Sequence, residues 1–157
     1  MLAILLCTAS ALDKVNIAVQ VRTVGKTVDT EPGRADSQTR LLEITVTNRT
    51  RETLPDLVVK WTFFGEDLKE EDIVVAESGE EKARLQPGRS ENLKTRETTF
   101  HYSRAGVQKR KGKGKRGGKA KKVPASGTRY AGWGVRVYQK GALVGEAYSL
   151  LELKEAL

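Results

Sequence analysis

The residues most able to do chemistry by type and spacing are cations. Residues 109–122, KRKGKGKRGGKAKK, hold Lys109, Arg110, Lys111, Lys113, Lys115, Arg116, Lys119, Lys121 and Lys122. Four glycines and Ala120 separate them, and no acidic residue interrupts the run. Ammonium and guanidinium groups at this density contact phosphate, sulfate or carboxylate and release counterions, which gives salt-sensitive binding without sequence preference. No aromatic side chain interleaves, so nucleic-acid bases find no stacking platform. Anionic glycans and membrane phosphates are the expected partners, and specific nucleic-acid recognition is not expected. The plainer alternative is a solvated insertion with no specific partner. A run this rich in Lys and Arg also suits a protease.

Catalytic chemistry has little to work with. The chain holds one cysteine, Cys7, and one histidine, His101, which cannot build a zinc site or a disulfide. No GxSxG, HExxH or phosphate-loop motif occurs. Glu66, Asp67, Glu70, Glu71 and Asp72 cluster, but a glycosidase needs two carboxylates across a deep cleft. This group reads as a solvated turn, and His101, between Phe100 and Tyr102, as a strand residue. The expectation is a non-enzymatic protein without cofactors or metals. Gly132 and Gly134 flank Trp133. The glycines either clear a ligand platform, with Trp133 or Tyr138 stacking on a sugar, or let another segment approach the strand. The second is favoured. Asn48-Arg49-Thr50 matches a glycosylation sequon, a frequent chance match.

The elements that carry these residues alternate with period two, the mark of half-buried strands. Val15, Ile17, Val19 and Val21 share a face; so do Leu42, Ile44 and Val46, and then Leu57, Val59, Trp61 and Phe63. DIVVAES (72–78) reads as a short strand, and Trp133, Val135 and Val137 mark a late one. Turns fall at Pro55-Asp56, Pro87-Gly88 and Lys140-Gly141, and 26–39 reads as a loop. The last residues, LLELKEAL, are helix formers. The pattern predicts an all-β fold: an antiparallel, immunoglobulin-like β-sandwich of seven or eight strands, with a short C-terminal helix. A flexible basic loop is expected over 104–127, since glycine and like-charge repulsion leave no helix or strand preference.

Charge is distributed unevenly. Net charge is +8, yet the run contains nine of the 28 basic residues, leaving 19 against 20 acidic ones. The basicity therefore belongs to one segment and not to the folded body. Residues 1–11 read as a signal peptide: Leu2–Leu6 is apolar, and Ala9-Ser10-Ala11 suits cleavage after Ala11. No Lys or Arg precedes the apolar run, so the true start lies upstream or the run is a buried first strand. A lipid anchor on Cys7 is disfavoured by Leu6. Export would leave a cysteine-free single domain, 12–157, held by packing alone, in the periplasm, on the outer membrane surface or outside the cell.

With that export signal, LLEITVTNRTRETLPDLVVKWTFFG (41–65), RLQPGRSENLKT (84–95) and YAGWGVRVYQKGALVGEAYS (130–149) resemble a family of small exported proteins of verrucomicrobial gut bacteria. These are immunoglobulin-like and associated with type IV pili. The resemblance spans roughly 13–150 and implies a non-enzymatic surface or periplasmic protein of pilus assembly, adhesion or host contact, with other surface or pilus proteins as partners. Residues 1–12 lack a pilin cleavage site and its long apolar helix, so the resemblance implies an accessory component and not the fibre core. It carries over no site residues.

Overall fold

The computed structural model describes residues 14–29, 34–108 and 121–157. Among these residues ten strands run in order: β1 (Val15–Thr27), β2 (Ala35–Asn48), β3 (Leu54–Asp67), β4 (Asp72–Leu85), β5 (Ser90–Lys94), β6 (Thr98–Ser103), β7 (Gly106–Gln108), β8 (Lys121–Val123), β9 (Ser126–Gln139) and β10 (Ala142–Tyr148). One 3-10 turn, Leu151–Lys154, follows. The expected C-terminal helix is no more than this turn. So short a segment cannot repay helix nucleation, and Leu150 before it supplies no side-chain cap.

The fold is an antiparallel β-sandwich, as the alternation predicts. In one layer β2 pairs with β1 on one side. On its other side it pairs with β6 over Ala35–Arg40 and with β5 over Glu43–Thr47. In the other layer β3 lies between β4 and β9, and β10 pairs with β9. The layers meet where β9 begins. Ser126 and Gly127 pair with Ser103 and Tyr102 of β6 before the strand continues in the second layer. Gly127 has φ +85°, and an added Cβ would stand 2.4 Å from the His101 carbonyl oxygen. Only glycine fits this crossing.

Inward residues fill the space between layers. Leu42, Ile44 and Val46 face Leu57, Val59, Trp61 and Phe63, with Phe100, Val135 and Val137 closing the cluster. Phe63 meets Trp61 and Phe100 edge to face, with ring centroids 6.0 and 5.9 Å apart. Each such side chain contributes about 1.5–3 kcal/mol on burial. Together they outweigh local strand propensity in setting register.

Several local expectations are corrected. Pro55-Asp56 is not a turn but an irregularity inside β3, where the register shifts between Leu54 and Leu57 and Asp56 takes φ +53°. The short strand at 72–78 runs on to Leu85, because β3 offers it a continuous partner. β1 and β2 reach into the predicted 26–39 loop. The span 104–127 is not all loop: β7 and β8 pair with each other inside it. Lys140-Gly141 does turn, both with positive φ (48° and 80°), the two-residue hairpin that suits strand twist.

Candidate functional site

The described residues on either side of 109–120 form a two-stranded ribbon. Gly106, Val107 and Gln108 of β7 pair with Val123, Lys122 and Lys121 of β8. Its root is tied to the body by a buried carboxylate. Asp36, 1% exposed, accepts from the Arg104 guanidinium at 2.8 Å and from the Asp29 backbone N–H at 2.8 Å. Charge-assisted bonds of this kind suit a buried acid, which is costly to leave unpaired. No sequence pattern singled out Asp36; its burial follows from β2 pairing with β6. Lys121 and Lys122 are exposed on the ribbon. Lys109, Arg110, Lys111, Lys113, Lys115, Arg116 and Lys119 lie outside the described residues, as does the proposed signal segment with Cys7.

The outer face of the second layer holds a second, smaller packed cluster. Cβ atoms added at Gly132 and Gly134 would strike Ser149 and Leu153 (2.3 and 2.5 Å) and the Tyr148 ring (2.9 Å). The glycines therefore make room for the segment after β10. Phe64, opposite Gly132 in the ladder, and Leu153 are buried there. Trp133 packs against the main core, and its backbone N–H donates to Ser149 Oγ at 2.9 Å. It is a structural residue here, not a free platform. Tyr138 sits beside a hollow of about 430 Å³ that includes Lys60, Thr62, Ser78 and Arg136, with the Lys60 ammonium 5.5 Å from its ring.

A polar cluster holds this cover in place. Arg136 Nε donates to the Tyr148 oxygen at 2.6 Å, and Tyr148 donates to Glu146 at 3.0 Å. Lys154 of the 3-10 turn binds the other oxygen of Glu146. Burial pushes the Glu146 carboxyl upward, but the Lys154 and Tyr148 hydrogen bonds outweigh it and hold the pKa below the ordinary value. Burial likewise opposes charge on Arg136, and its bond to Tyr148 reverses the effect, leaving its pKa raised. Burial raises the Tyr148 pKa, only partly offset by Arg136. These shifts accompany a structural lock around the 3-10 turn.

The remaining candidates fall as read. Asp67 Oδ1 accepts the backbone N–H groups of Lys69 and Glu70, so the acidic cluster is the β3–β4 turn. His101 is an exposed residue of β6. Asn48 is a surprise: it is 1% exposed and staples strand ends. Its amide donates to the carbonyls of Glu52 (2.7 Å) and Leu85 (3.2 Å), and its oxygen accepts from Thr50 N and Oγ1.

One backbone surface has no counterpart in these motifs. β4 pairs with β3 alone among the described residues and leaves its other edge open. A second hollow of about 620 Å³ is lined by Asp56, Leu57 and Val58 of β3, Lys82, Ala83 and Arg84 of β4 and Glu91 of β5.

No protein-family model matches the chain, and no curated protein matches its sequence. Among solved structures, the X-ray structure of a Northeast Structural Genomics Consortium target, SoR45, is similar with 11% identity and a TM-score of 0.42, covering 88% of both chains. A crystal structure from Akkermansia muciniphila is similar with 14% identity and a TM-score of 0.39, covering 87% of this chain and 72% of that one.

Proposed function

We propose that this chain is a non-enzymatic binding module of the exported cell-surface or periplasmic compartment, and that it contacts polyanions through its lysine-rich segment. The carrying observation is the β7–β8 ribbon. It brings the two ends of the basic segment together on a stem rooted at Asp36 and Arg104, outside a body whose charge sums to −1. A paired stem presents cations to a surface without opening the sandwich. Anionic glycan and lipid phosphate share the required chemistry, dispersed negative oxygens, and need no base-specific contacts. The sequence resemblance supports the finer reading, an association with type IV pili or adhesion.

Retention on heparin and cosedimentation with vesicles containing phosphatidylserine test the contact. Binding should weaken steeply with salt, fall several-fold in the Lys121→Glu, Lys122→Glu double variant, and vanish when residues 107–123 are deleted. Binding that survives the deletion would refute the polycation mechanism. N-terminal sequencing of protein recovered outside the cytoplasm tests export, with a start near Leu12 as the expected result.

A further inference from the structure

β4 is 14 residues long and hydrogen-bonded on one side only among the described residues. Open edges are templates for another strand, and natural sheets blunt them with proline, bulges, charged side chains or covering loops. β4 contains no proline. Its ladder with β3 shifts register twice, between Val75 and Glu77 and again between Ala83 and Leu85, and Ile73 and Val75 stand about half exposed on it (46% and 52%). From Glu77 to Ala83 the ladder with β3 is regular.

Charge along this stretch is polar. Glu77, Glu80 and Glu81 come first, then Lys82 and Arg84. Glu80, Glu81, Lys82 and Arg84 form no ion pair within the chain among the described residues. An antiparallel second copy reverses the order, so each acidic half lies across from a basic half. Two-fold symmetry between antiparallel edges runs perpendicular to the sheet and keeps the two outer faces on one side. Residues of equal parity then oppose each other. Centring the axis on Glu81 sets Glu80 against Lys82 twice, Ser78 against Arg84 twice and Gly79 against Ala83. Only Glu81 meets its own kind, at the axis.

We propose that two copies of this chain associate edge to edge through antiparallel β4 strands, joining their second layers into one continuous sheet. The occupant is a second copy because the strand is complementary in charge to its own reverse. The association is independent of the polyanion contact, which uses a different element. It sets two basic ribbons on one particle.

Sedimentation equilibrium of the full chain, at several concentrations and low salt, tests it. Wild type should dimerise. E80K should weaken the dimer about tenfold, because two attractive cross-strand pairs become repulsive. The swapped variant E80K/K82E should return to within about threefold of wild type, and E81Q should tighten association by removing the like pair at the axis. All three positions are exposed, and circular dichroism checks that each variant folds. A wild type that stays monomeric at every concentration overturns the proposal. So does a dimer indifferent to E80K, or one that the swap does not restore.

Discussion

Gly79 of β4 lies directly across the ladder from Trp61 of β3, and a Cβ built at Gly79 would stand 2.5 Å from the indole Cζ2. The largest core side chain therefore spreads over the backbone of its neighbour, and the glycine is the other half of that contact. Trp61 is 2% exposed and cannot retreat from its edge-to-face contact with Phe63 without opening the core.

Gly79→Ala should accordingly destabilise the sandwich by about 1–3 kcal/mol, the usual range for overpacking. Urea unfolding followed by Trp fluorescence measures it. An unchanged midpoint would show that the indole moves at no cost.

Asn48→Ala should be worse than its place at a strand end suggests. It strands the Thr50 backbone N–H and the Leu85 carbonyl, while the Thr50 hydroxyl and the Glu52 carbonyl keep each other, and a buried polar group left unpaired costs about 1–3 kcal/mol. Thermal unfolding should fall clearly below that of Thr47→Ala, whose hydroxyl bonds only Ser90 near the surface. Equal loss in the two variants would count against the staple.

Acid should loosen the cover over Gly132 and Gly134. Glu146 has a lowered pKa when folded, so the unfolded chain binds its proton more readily. The stabilisation is complete above the ordinary carboxylate value of 4.5 and is lost as pH falls through the folded value. Glu146→Gln should therefore be less stable than wild type at neutral pH, with the gap closing in acid. Paired melting curves at about pH 7 and pH 3 read this out; a constant gap would contradict the linkage.

Deleting 107–123 should leave the body intact. The described strand residues of that span pair only within the β7–β8 ribbon, Val123 with Gly106 just outside the deletion. The melting curve should move by no more than about 0.5 kcal/mol, the range for changes away from the core. Loss of cooperative unfolding would mean that the ribbon supports the sandwich.

Much of the fold was legible because period two is a local signal. Leu42, Ile44 and Val46 and Leu57, Val59, Trp61 and Phe63 declare an inner face without knowledge of their partners, and all of them are buried. Turn chemistry was legible at Lys140-Gly141, where two positive φ angles close the hairpin. It misled at Pro55-Asp56, where the flanking apolar residues found ladder partners on both sides and the strand ran through. The glycines beside Trp133 were correctly read as room for another segment, although nothing local named Leu153 and Tyr148 as the residues that fill it.

The sequence alone determined the strand-rich class, the inward faces and the concentration of positive charge in one segment, because each depends on neighbours a few residues away. Tertiary structure decided the rest. It buried Asp36 beside Arg104 and Asn48 beside Leu85, partners 68 and 37 residues distant, and it left β4 at an open edge. Those outcomes depend on which strands lie side by side. Such pairing is a property of the assembled sheets and is encoded at no single position in the chain.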